Sequence, residues 1–226
     1  MPTPFHSRAL LTWALAAAVT LAGCASTREP DESLAGATPS NVAQGVLPAL
    51  GELPVLMLPV QRAAVEPGLP WTLPGGAAGA TRMADSVLND VLVLRGAGSK
   101  WQFAEQARRT ARRNPTYVAD PDALAVNSLA RLRPGDALLE PLASELRGLV
   151  ALGDARHVLL PVELRAQPAE GDPPGTGRMV LLLAAVDARL SQLLWMGPIA
   201  GDPATAFNAA AVESVAAKLA DLVVAR

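Results

Sequence analysis

The stretch LLLAAVDARLSQLLWMGPIAG, residues 181–201, decides the fold. An apolar run from Met179 to Val186 stops at Asp187-Ala188-Arg189 and resumes at Leu193-Leu194-Trp195-Met196. Two short apolar runs around a polar turn read as an antiparallel hairpin. Upstream, Arg156–Leu164 (RHVLLPVEL) reads as another strand, joined to the hairpin by a Pro- and Gly-rich loop over residues 168–177. Pro161 has no N–H to give to a ladder, so this strand is expected to carry a bulge there or to lie at an edge.

Working outward, Asp202-Pro203 reads as a helix start, with Asp as cap and Pro in the first turn. The helix that follows places Val212, Val215, Ala216, Leu219 and Val223 on one face. Toward the amino end, Pro54–Val60 is an apolar run bounded by prolines and suits a buried strand. A loop over 66–80 leads to a helix expected at Thr81–Leu94, with Met83, Val87, Val91 and Leu94 as its stripe and Arg82, Asp85, Asn89 and Asp90 opposite. Trp101–Ala104 reads as a short edge strand, 104–113 as a helix ended by Asn114-Pro115, and 121–132 as a further helix carrying Leu124, Leu129 and Leu132. Pro141 opens another helix, with Leu142, Leu146, Leu149 and Val150 inward and Gly153 at its end. A strand that leaves through helices and returns beside itself implies a parallel pair. The expected class is α/β (mixed α+β): a single mixed sheet with packed helices.

Ahead of this domain stands a different kind of sequence. Arg8 is followed by about fourteen mostly apolar residues, fewer than the ~20 of a spanning helix and within the range of a signal peptide. The run ends in Leu21-Ala22-Gly23-Cys24, which resembles the bacterial lipobox, and Cys24 is the only cysteine. That resemblance implies cleavage before Cys24 and acyl chains on it. Two or more chains anchor a protein stably where one does not. Residues 1–23 are thus expected to be a lipoprotein signal peptide, 24–53 the lipidated cysteine and a flexible tether, and 54–226 one globular domain. Without 1–23 the charge is 18 basic against 21 acidic residues, a near balance that gives no reason to expect nucleic acid. A single thiol allows no internal disulfide, so stability must come from the core.

The order of elements, the Pro54–Val60 strand with its amphipathic helix, ARHVLLPVEL at 155–164, the 181–201 hairpin and the closing alanine-rich helix together resemble the amino-terminal domain of TolB. Bacterial lipoproteins of the CsgG and LpoB type share that architecture. In such proteins a strand ending in Asp begins the turn and the return strand often ends in Trp; here those positions are Asp187 and Trp195. Where such hairpins usually have Gly, this chain has Leu190-Ser191. The resemblance implies a non-catalytic envelope protein that touches other proteins.

The residues themselves offer little chemistry. His157 is the only histidine after residue 23, and no Gly-x-Ser-x-Gly elbow supplies a nucleophile for it. Gly96-Ala97-Gly98-Ser99-Lys100 lacks the spacing of a phosphate loop. No cofactor or metal site is expected. The sharpest electrostatic feature is Arg108, Arg109, Arg112 and Arg113, which at helical spacing share one face and suit either a solvated surface paired with nearby Glu and Asp or contact with an anionic group or an acidic partner. Trp101 is a candidate contact or a plug at the sheet edge. The leading reading is a lipid-anchored periplasmic accessory or adaptor protein of a bacterial envelope assembly, held to the membrane at Cys24 and bound to an envelope protein. The alternatives are a secretion-pore subunit of CsgG type, which needs long strands with an outward apolar band, and an envelope hydrolase. Ala25 after the cysteine favours the outer membrane, by resemblance to the sorting rule of enteric bacteria.

Overall fold

The computed structural model describes residues 41–97, 100–168, 171 and 173–223. The expected signal peptide, Cys24 and the tether up to residue 40 lie outside the described residues, as do Gly98 and Ser99. Helix α1 (Asn41–Gly51) leads into β1 (Val55–Met57), β2 (Ala63–Val65), α2 (Gly76–Leu94), β3 (Trp101–Gln102) and α3 (Ala104–Arg113). A 3₁₀ turn at Val126–Arg131, α4 (Leu142–Gly153), β4 (His157–Gln167), β5 (Gly177–Asp187), β6 (Gln192–Ala204) and α5 (Ala209–Val223) complete the order.

The strands form one mixed sheet in the order β3-β1-β4-β5-β6, with β2 paired to β4 as well. β1 runs parallel to both β3 and β4, and β2 runs parallel to β4. The hairpin is antiparallel, from Gly177↔Ala204 to Asp187↔Gln192. The expected mixed α/β sheet is therefore present. Pro161 sits in a central strand at a register shift between Pro161 and Glu163, the bulge its missing N–H calls for.

Alternation along the strands divides the core in two. Met57, Leu159, Leu181, Leu183, Trp195 and Ile199 face α1, α2 and α5, while Leu56, Val158, Leu160, Val162, Val186 and Leu193 face α3 and α4. Trp195 is 1 % exposed. A side chain at Gly197 would meet its ring, since a Cβ there would lie 2.5 Å from Cζ2, so glycine at 197 makes room for the indole on the same face.

Three sequence expectations are corrected. Residues 41–51, read as tether, form α1, with Leu47 and Leu50 buried. Their i, i+3 spacing gives the segment an apolar contact that its Gly and Pro content hid, and Gly51 lets it close on α5, where a Cβ would come within 2.5 Å of Val223 O. Asp202-Pro203 does not start a helix, because β6 continues to Ala204 and pairs Pro203 with Arg178. Asn208 is the cap instead: its Oδ1 accepts from Ala211 N–H at 2.9 Å. On α2 the fully buried line is Ala80, Ala84, Leu88 and Leu92, with Asp85 beside it. Met83, Val87 and Val91 are only half-buried, and Leu94 is exposed. The buried line is one step round from the expected stripe because alanines let α2 pack closely on its neighbours, and large side chains flank that contact.

Candidate functional site

The parallel half of the sheet contains an interruption. β1 and β2 are two pieces of one line of chain beside β4: Leu58 N–H donates to Leu159 O and Gln61 N–H to Pro161 O, both at 2.9 Å, and Arg62 O accepts from Leu164 N–H at 2.9 Å. The line is broken between them because Pro161, opposite Leu58 O, has no N–H to donate, and the chain takes one extra residue before Gln61 faces β4 again. On the outer side β3 covers β1 alone, and β2 pairs with no strand but β4 among the described residues. Since α2 lies on one face of the sheet and α3 on the other, a gap remains between the helical layers past the end of β3.

Charged side chains close the near end of that gap. Val60 N–H donates to Asp85 Oδ1 at 2.8 Å, so the carboxylate stands where a neighbouring strand would offer a carbonyl. Asp85 Oδ2 accepts from Arg108 Nη2. Arg108 also donates from Nε to Asp122 Oδ2 at 2.9 Å and from Nη2 to Asp122 Oδ1 at 2.6 Å. One guanidinium thus ties α2, α3 and the loop before the 3₁₀ turn together across the sheet edge. Its side chain is 13 % exposed, against 6 % for Asp85 and 44 % for Asp122. Burial pushes the Asp85 carboxyl up to about 6, against the pull of Val60 N–H and Arg108. The hydrogen bonds from Arg108 to Asp122 and then to Asp85 raise the guanidinium pKa and keep it charged.

Beyond this plug lies an open groove of about 740 Å³. Ala63 and Ala64 of β2 form its floor, Ala77, Ala78 and Thr81 of α2 one wall, and α3 the other. Arg62, Arg82 and Arg112 reach it. Arg112 is paired with Glu105 at 3.0 Å, and Glu163 with Arg165 at 2.7 Å. Among the described residues Arg62 has one hydrogen-bond partner, Asn127 Oδ1 at 3.4 Å. Among the described residues Arg82 has no hydrogen-bond or ion-pair partner, so uncompensated charge in the groove is positive.

The four arginines expected on one face therefore divide. Arg108 is drawn inward by Asp85 and Asp122, and Arg112 lines the groove. Arg109 lines a separate furrow of about 300 Å³ with Val93 and Trp101, and Arg113 is exposed. Trp101 is 4 % exposed and donates from Nε1 to Leu50 O at 3.3 Å, so it plugs the edge between β3 and α1 rather than offering a free contact. Sequence reading assigned Asp85 to the solvent face. The signal that placed it inside was the alanine line next to it, which brings α2 close to the sheet.

At the other end of the sheet, Asp187 organises the hairpin turn. It is 2 % exposed, accepts from Arg156 Nη2 at 2.6 Å and takes Leu190 N–H on Oδ1 at 3.0 Å. Burial opposes its charge, but Arg156 and the Leu190 N–H together hold its carboxyl below the usual range. Ser191 adopts φ 52, taking the left-handed place that glycine usually holds; Arg147 Nη1 donates to its Oγ at 2.6 Å. His157 is half-buried, and burial lowers its pKa. Among the described residues its Nδ1 has no hydrogen-bond partner.

No family model matches the chain, and no curated protein matches it. Solved structures do. The carboxy-terminal domain of LpoB from Salmonella enterica is 14 % identical, with 70 % of this chain and 96 % of that one covered at a TM-score of 0.35. The NMR structure of Escherichia coli LpoB is 12 % identical, covering 90 % and 86 %, at 0.36. A PelC dodecamer from Paraburkholderia phytofirmans is 13 % identical, covering 71 % and 86 %, at 0.34.

Proposed function

We propose that this chain is a lipid-anchored accessory protein of a bacterial envelope assembly, held to the outer membrane at Cys24 and facing the periplasm, where it acts by binding another envelope protein rather than by catalysis. The observation that carries the reading is the sequence Leu21-Ala22-Gly23-Cys24 at the end of a short apolar run, followed by a compact domain. Acyl chains on one sulfur would fix that domain beside a bilayer, and the residues from Cys24 to Asn41 set its reach. The groove beside β2 supports an interaction role. Arg108, which lines it, is spent on joining elements of the fold through Asp85 and Asp122, while Arg62 and Arg82 are left to meet something else.

The test is mass spectrometry of the protein purified from bacterial membranes, with Cys24→Ser as control. A first residue at Cys24 carrying diacylglycerol supports the anchor, together with loss of membrane attachment in the variant. An unmodified thiol, or a start elsewhere, would overturn it.

A further inference from the structure

We propose that the groove beside β2 is a strand slot: it takes an extended, acidic segment of a partner protein, which adds to the sheet edge at Ala63–Val65. This deepens the accessory reading above and rests on the chain being a partner-binding protein.

The backbone of β2 is half used. Arg62 O accepts from Leu164 N–H and Glu66 N–H donates to Ala166 O at 2.8 Å, so both face β4. Strand alternation then turns the N–H and C=O of Ala63 and Val65 the opposite way, toward the gap. None of these outward groups has a hydrogen-bond partner among the described residues, and β2 has no second neighbour. An edge of this kind is a template for another strand.

The surroundings shape the space for a strand and not for a compact ligand. The gap lies between two helical layers, in line with β3, which fills the same position beside β1. Ala63, Ala64, Ala77 and Ala78 keep side chains short where an incoming backbone would lie. Asp85, by accepting Val60 N–H, ends the slot on one side and fixes how far an added strand extends. The chemistry of the occupant follows from charge. Among the described residues Arg62 and Arg82 lack carboxylate partners, whereas Glu105 and Glu163 are held by Arg112 and Arg165. An added strand with acidic side chains at alternate positions would pair with those two cations, and a basic one would be repelled.

The experiment is selection of random decapeptides displayed on phage against the full chain in detergent, with counter-selection against Arg62→Glu/Arg82→Glu. Both residues are exposed, so the double variant is expected to fold as the parent does. Selected peptides are expected to be acidic and rich in strand formers, to bind the double variant about tenfold or more weakly, and to slow hydrogen exchange at the amides of Ala63 and Val65. N-methylation of alternate peptide amides should abolish binding, since it removes the strand ladder and leaves the charge. The proposal is overturned if no selected peptide distinguishes the parent from the double variant, if binders protect amides elsewhere, or if N-methylated peptides bind equally well. Selection needs no lipid at Cys24. Its failure therefore leaves the anchor standing, and an unmodified Cys24 leaves the slot standing.

Discussion

The two halves of the sheet are built on different terms. From β4 to β6 the ladder is long and nearly continuous, β5 is buried along most of its length, and Trp195 fills the layer beneath α5. From β4 to β3 the ladder is short and broken opposite Pro161, and where it fails a carboxylate and a guanidinium stand in for the missing strand. Apolar area holds the first half together; charge and hydrogen bonds complete the second. A buried ion pair contributes little net stability compared with apolar packing. The parallel half therefore costs stability where it leaves an edge open, and the hairpin half makes that tolerable.

If the hairpin half carries stability, its centre should be the most sensitive point. Trp195→Ala should cost about 3–5 kcal/mol, a fall of roughly 6–20 °C in Tm for a domain of this size, measured by calorimetry. A loss under about 1 kcal/mol would break the contrast.

At the plug, Arg108→Leu leaves Asp85 buried without its cation and should cost roughly 2–3 kcal/mol, discounted from the value for a fully buried pair because Arg108 is partly exposed. Adding Asp85→Leu should recover most of that loss in chemical denaturation. If the double variant is as unstable as the sum of the singles, the two residues are not coupled.

The same pair predicts a pH dependence. Folding raises the Asp85 pKa from its ordinary 3.8 to about 6, so the folded state holds this proton more tightly than the unfolded one. The resulting stabilisation is full below pH 3.8 and is lost as pH rises through 6. Between pH 5 and 7.5 the parent should lose on the order of 1 kcal/mol relative to Asp85→Asn. Taking the difference removes His157, whose lowered pKa acts in the opposite direction. Parallel curves for the two proteins would show that Asp85 does not titrate there.

The smallest effect belongs to the junction between β6 and α5. Asn208→Ala should cost about 1 kcal/mol through loss of the cap, while Asp202→Ala should cost less, because Asp202 lies on β6 and its exposed carboxylate meets Lys218 alone among the described residues. The reverse ranking would restore the helix start first expected at Asp202-Pro203.

The hairpin half was legible because its signals are local. Leu181–Val186, the Asp187 turn and Leu193–Met196 announce themselves by spacing, and Pro161 announced its bulge. In the other half, residues distant in sequence decide the structure. Asp85, Arg108 and Asp122 come from three separate segments, and nothing in each window tells that they meet. The four-arginine pattern marked the right helix, but which arginines turn inward depended on carboxylates that α2 and the 120–123 loop bring to it. Residues 41–51 were missed for a related reason: their burial comes from α5, at the far end of the chain.

The division of labour is tested most directly by photocrosslinking in living cells, with the reactive side chain placed at position 64 in the groove or at 189 on the hairpin turn. A discrete adduct to one envelope protein from position 64, absent from 189 and lost in Arg62→Glu/Arg82→Glu, is the expected result. An adduct from 189 alone, or one from 64 that survives charge reversal, would contradict a binding role for the broken half of the sheet.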